Sequence, residues 1–224
     1  MTATGPPLLR VQDPQRGEIE IGTGQRVLVL GPSGCGKTQW VRALLGLQGL
    51  KLERVEVDGR QASTAEVRRV IGWVPDNAAA LLDLSVWDNV ANIPHLPAVP
   101  RADAQDALEI VGLEVMARRP AHTLTRTERR RVCLARAIAA RCPLIVIDGD
   151  LDATINSLLF PLLDQAPATQ SVLLLSGVAG DHAWNAHSVA LMAQGRLVAQ
   201  GPWAELLSSY QADVRSAALW VAAP

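Results

Sequence analysis

One stretch restricts the possible folds more than any other. Val27-Leu28-Val29-Leu30 is an apolar, partly β-branched run that feeds Gly31-Pro32-Ser33-Gly34-Cys35-Gly36-Lys37-Thr38, and residues 39–46 beyond it read as a helix. Residues 31–38 satisfy the pattern G-x-x-x-x-G-K-[ST] in the strand–loop–helix setting it requires. Glycines at 31, 34 and 36 let the backbone curl so that successive N–H groups converge on phosphate oxygens. The helix beyond contributes its positive end. Lys37 brings a cation to the β- and γ-phosphates, and the Thr38 hydroxyl is a ligand for Mg²⁺. Gly31, Ser33, Gly34, Cys35, Gly36, Lys37 and Thr38 are therefore the candidate nucleotide-binding residues.

The runs on either side fit a sheet around that loop. Residues 8–11 and 18–21 read as short strands about the turn Asp13-Pro14-Gln15-Arg16-Gly17, and 54–57 as a hairpin arm ending in Asp58-Gly59. Residues 70–74 form an apolar strand stopped by Pro75. From 88 to 140 the period turns helical, most clearly over 104–111 and 128–140. Leu144-Ile145-Val146-Ile147-Asp148 and Ser171-Val172-Leu173-Leu174-Leu175-Ser176 are continuous apolar strands, with a crossover helix expected over 158–163 between them. Strands apolar on both faces indicate a parallel α/β sheet. Residues 189–199 read as a closing hairpin and 202–207 as a final helix with proline in its first turn.

Composition narrows the function. A chain of 224 residues, 49% hydrophobic and of net charge -1, has the makeup of a globular domain without the basic excess of a nucleic-acid surface. No apolar run approaches the ~18 residues that cross a bilayer, and the first residues lack the basic and apolar regions of a signal peptide. Cys35, Cys133 and Cys142 are too few and too irregularly spaced for a disulfide framework or a zinc site. A reducing cytoplasm is the expected setting, and any membrane role has to come through a partner.

From about residue 8 to 207 the order of these motifs resembles the ATP-binding cassette (ABC) ATPase family, the nucleotide-binding subunits of ABC transporters. Residues 70–74 with Ser85-Val86-Trp87-Asp88-Asn89-Val90 are similar to the Q-loop region, 124–139 to the signature and its helix, and 143–148 to the Walker B strand. The resemblance implies one α/β P-loop NTPase domain over 1–224. Its parallel-sheet core would take 8–85 and 141–207, with an antiparallel β-subdomain at its N-terminal end. A helical subdomain would be inserted over 86–140, and 208–224 would form a tail. It implies ATP and Mg²⁺ as cofactors, with Thr38, Asp148 and Asp76 as metal ligands. It further implies transmembrane permease subunits as partners, a homodimer or a heterodimer with a second cassette, and a cytoplasmic position peripheral to the inner membrane face.

The departures are as informative. After Asp148 the family carries a glutamate that polarises attacking water, and here stands Gly149. The switch histidine position is Gly177, the Q-loop glutamine position is Asp76, and the signature reads Leu124-Thr125-Arg126-Thr127-Glu128. The phosphate-holding set is whole. The general base, which contributes about 10²–10⁴ in rate, is missing. The expectation is a cassette that binds Mg-ATP and hydrolyses it slowly or not at all. Two alternatives stand beside it: a regulatory or scaffold protein outside transport, and an active ATPase with Asp150 as a relocated base. His122, His182 and His187 are poor substitutes for the switch. Trp73 is expected to pack in the core, and Trp87 either packs or meets a membrane subunit. The apolar tail around Trp220 would cover a groove of this chain or of a partner.

Overall fold

The computed structural model describes residues 6–77, 80–92, 99–149, 169–177 and 186–210. Asp150, the crossover helix expected over 158–163, His182 and Trp220 lie outside the described residues. The chain divides into two compact units, residues 1–68 with 171–224 and residues 69–170. Two strands that the sequence reading places in the core, residues 71–74 and 144–148, fall in the second unit.

In the first unit β1 (Leu9–Asp13) and β2 (Gly17–Ile21) form an antiparallel hairpin registered Leu9 to Ile21 and Asp13 to Gly17. Alternate residues Leu9, Val11, Ile19 and Ile21 are buried, the pattern of a half-covered sheet. The Asp13 carboxylate closes the turn by accepting from the N–H groups of Gln15 and Arg16 and from that of Glu53. Burial pushes its carboxyl up, but the three N–H donors outweigh burial and leave it below the usual range. β4 (Arg54–Val57) pairs antiparallel with β1, and a turn with positive φ at both Asp58 and Gly59 returns the chain as β5 (Arg60–Gln61). β3 (Arg26–Leu30) runs parallel between β8 (Ser171–Ser176) and β9 (Ser188–Ala193), and β10 (Arg196–Gly201) closes antiparallel on β9. β8 is buried throughout. α1 (Lys37–Leu44) follows β3, and α6 (Trp203–Tyr210) follows Pro202.

The second unit pairs β6 (Ile71–Val74) in parallel with β7 (Leu144–Asp148), which is buried at every position. Three helices accompany the pair: α3 (Val86–Ala91), α4 (Arg101–Ile110) and α5 (Arg126–Ala139). Val90, Ala104, Leu108, Val132, Leu134, Ala135 and Ala137 are buried, which places the i, i+3, i+4 stripes of these helices inward. α2 (Thr64–Val70) was not legible in the apolar pattern, since Val67 alone is buried along it. Its capping sequence was there to find: the Ser63 N–H and hydroxyl both donate to Glu66 Oε2, at 2.7 and 2.6 Å. Among the described residues no helix is long and apolar enough to cross a membrane.

Candidate functional site

The phosphate loop leaves β3 where the Gly31 N–H donates to the Ser176 carbonyl at 3.2 Å. It ends at Gly36, whose φ of 104° makes it a left-handed N-cap for α1. No side chain caps that helix. The first N–H groups of any α-helix have no acceptor within it, so the start of α1 presents bare donors and the positive end of its dipole. Lys37 is folded back over the loop, its Nζ donating to the carbonyls of Gly31 at 2.6 Å and Pro32 at 3.1 Å, 4.0 Å from Cys35 Sγ.

The turn between β9 and β10 braces the loop from behind. Gln194 and Gly195 both have positive φ, 47° and 79°, as a two-residue type I′ turn needs. The Gly195 N–H donates to the Cys35 carbonyl at 2.6 Å. A Cβ at Gly36 would stand 2.9 Å from Gly195 Cα, so the loop comes this close to the turn only with glycine at 36. Uncapped donors, a cation lying over the loop and a braced glycine turn fit the phosphates of a nucleotide. Trp40 is fully buried, two residues past Thr38, and so is no platform for a base.

In the second unit Asp148 ends β7 at 2% exposure, and its backbone carbonyl accepts from Arg130, itself buried. Asp76, in the turn after β6, does more than the sequence suggested. Its Oδ1 accepts from Arg126 at 2.7 Å, and its main-chain carbonyl accepts twice from the same guanidinium, at 3.3 and 3.2 Å. Gly149 adjoins them with φ 88°, and a Cβ there would lie 2.7 Å from Asp76 Oδ1 and 2.8 Å from its Cβ and Cγ. Three of the unusual positions, 76, 126 and 149, are thus one cluster. No local pattern reveals it, although each of the three departs from the family pattern on its own.

The α5 N-terminus is closed by its own residues. Thr125 is the N-cap, its N–H and hydroxyl donating to Glu128 Oε2 at 2.7 and 2.8 Å while the Glu128 N–H returns to Thr125 Oγ1 at 3.2 Å. The Thr125 N–H, then its hydroxyl, hold the Glu128 carboxyl below the usual glutamate range. A carboxylate therefore already occupies the positive end of the helix.

Asn89, which the sequence reading names only as part of the stretch 85–90, is fully buried on α3. Its side chain accepts from the Leu81 N–H at 2.7 Å and donates to the carbonyls of Leu81 and Ser85, both at 2.9 Å. Arg136 on α5 donates to the Asn89 carbonyl and to its Oδ1, at 2.9 and 2.8 Å. Trp87 has the Arg101 guanidinium 5.4 Å above its ring, a packed cation–π contact. His187 Nδ1 accepts from the Arg26 N–H, and His122 is exposed. Burial pushes the thiols of Cys133 and Cys142 up, which makes them poor nucleophiles.

Comparison with known proteins gives this arrangement a context. Residues 15–150 match the family model described as ABC transporter. The chain is 34% identical over 196 residues to the Fe(3+) ions import ATP-binding protein of Streptomyces coelicolor, covering 82% of this chain and 56% of that one. It is 34% identical over 150 residues to the sulfate/thiosulfate import ATP-binding protein of Neisseria meningitidis, covering 62% and 42%. The chain thus spans about half the length of these curated relatives. Among solved structures, CbiO1 from Clostridium perfringens, part of an ABC transporter complex, superposes with a TM-score of 0.71 at 19% identity, covering 94% of this chain and 97% of that one. An ATP-binding cassette of an ABC transporter in its ADP conformation does so with a TM-score of 0.74 at 18% identity, covering 96% and 98%. These two likenesses are of fold.

Proposed function

This chain belongs to the ABC transporter ATPase family, and from that premise we propose that it binds Mg-ATP as the cassette of a transport complex and turns it over slowly or not at all. One observation carries the second half of the reading. The residue after Asp148 is a glycine in left-handed conformation, with the Asp76 side chain against the place a Cβ would take.

Gly31, Ser33, Gly34, Cys35 and Gly36 supply backbone around the phosphates, and Lys37 exchanges its two carbonyl partners for phosphate oxygen. Mg²⁺ takes hard oxygen ligands. Thr38 offers a hydroxyl and Asp148 a carboxylate of that kind, and each is a proposed ligand on its own chemistry. Asp76 is a weaker third ligand, because binding metal would cost it the Arg126 pair. When bound, the ion neutralises charge on the phosphates. The relatives named above are import ATP-binding proteins, which supports an assembly with transmembrane permease subunits and a second cassette at the cytoplasmic face of a membrane.

The test is Mg-ATP binding and steady-state hydrolysis by the purified chain, alone and in its native complex, for wild type, Lys37→Ala and Asp150→Ala. Tight binding with turnover no greater than that of Lys37→Ala is the expected result. Turnover by the isolated chain that collapses in Asp150→Ala would overturn it and make Asp150 the base. A chain that binds ATP but co-purifies with no membrane protein would instead be a regulator or scaffold.

A further inference from the structure

We infer that Asp76, Arg126 and Gly149 form a single interdependent clamp, in which Arg126 fixes Asp76 in the space that a side chain at 149 would need. The base position is therefore blocked by its neighbours as well as vacant. This deepens the proposed function and rests on its reading of 149 as that position.

Arg126 holds both degrees of freedom of its partner. Two of its hydrogen bonds go to the Asp76 main-chain carbonyl and fix the backbone, and the third goes to Oδ1 and fixes the carboxylate. The pair is exposed, 63% for Arg126 and 48% for Asp76. An ion pair in that setting adds little to stability by itself. Its effect is positional. With Asp76 held, a Cβ at 149 would approach three of its atoms at 2.7–2.8 Å, closer than side chains tolerate. The φ of 88° at Gly149 adds a backbone barrier that is independent of Asp76.

The pairing also gives Arg126 a role that its position at the start of α5 does not announce. Its guanidinium is spent on Asp76 of its own chain, 50 residues earlier, and is unavailable to a phosphate on another chain while the clamp is closed. The three replacements are then mutually dependent. A glutamate restored at 149 meets Asp76, and Asp76 cannot yield while Arg126 holds its backbone.

A double-mutant cycle on the full chain tests this by urea unfolding, with Gly149→Ala made in wild type and in Arg126→Ala. In wild type Gly149→Ala should weaken the folding equilibrium by roughly tenfold or more, as overpacking and left-handed strain do. In Arg126→Ala the same substitution should cost several-fold less, because the 75–77 turn can then shift away. Arg126→Lys, which keeps the charge but lacks the fork, should fall between. Equal costs in all three backgrounds would overturn the clamp. If Gly149→Ala does not fold, Asp76→Gly/Gly149→Ala is compared with it: a folded double variant supports the clamp, and one that stays unfolded assigns the cost to the backbone at 149 and overturns the clamp as the block. ATP turnover of Gly149→Glu is read in parallel. Hydrolysis that rises tenfold above wild type on that change alone would also overturn the clamp. High turnover in wild type that Lys37→Ala abolishes would sink the proposed function, and the stability cycle would still decide the clamp.

Discussion

Thr125 and Glu128 show how much a few atoms decide at the start of a helix. Their reciprocal bonds satisfy two N–H groups that α5 would otherwise leave bare. Thr125→Ala should therefore cost about 1 kcal/mol in urea unfolding at neutral pH. The Glu128 carboxyl is held low in the folded chain. Its contribution is present above the ordinary glutamate pKa and lost as pH falls through the lowered folded value. The difference between wild type and Thr125→Ala should accordingly shrink on acidification, although the hydroxyl still accepts from the Glu128 N–H. A difference that grows in acid would rule out this account. At this scale legibility depended on distance along the chain. The Lys37 setting could be read because loop, cation and helix are contiguous. The partner of Asp76 could not, because Arg126 comes 50 residues later and no periodicity links them.

Among elements, the β9–β10 hairpin supports the glycine loop without adjoining it in sequence. β3 and β9 are parallel neighbours registered Val27 to Ser188 through Leu30 to Leu191, so the turn after β9 arrives beside the loop after β3. Gly36→Ala should abolish ATP binding in a titration while leaving the far-ultraviolet circular dichroism unchanged, because it combines left-handed strain with a 2.9 Å approach to Gly195 Cα. Gly195→Ala meets no atom within 4 Å but keeps a φ of 79°, and should weaken binding while costing about 1 kcal/mol of stability. The clamp of Asn89 on the 81–85 segment predicts a further effect. Asn89→Ala strips buried partners from that segment and from Arg136, and should destabilise the chain by about 1–3 kcal/mol in urea unfolding. Most strands were legible because alternation or continuous apolarity follows directly from burial on one face or two. α2 was not, because a seven-residue helix with one buried side chain carries almost no hydrophobic period.

For the molecule as a whole, binding and stability are linked. A ligand that binds only the folded chain at a concentration 100 times its Kd adds about 2.7 kcal/mol. Mg-ATP should raise the midpoint of thermal unfolding accordingly, and Lys37→Ala should erase the rise. Asp148→Asn should retain stabilisation by ATP but lose its dependence on Mg²⁺, whereas an undiminished dependence would remove Asp148 from the metal's ligands. The family could be read from sequence because its motifs recur in a fixed order over most of the chain. The two compact units could not, because their division depends on which strands pack with which helices. One bond gives this molecule a built-in gauge. The Gly195 amide, at the tip of a surface hairpin where solvent would ordinarily exchange its proton quickly, is tied to the Cys35 carbonyl inside the phosphate loop. Its deuterium uptake is therefore a clock for the loop: slow while the loop keeps its shape, and quickened by any change that loosens it.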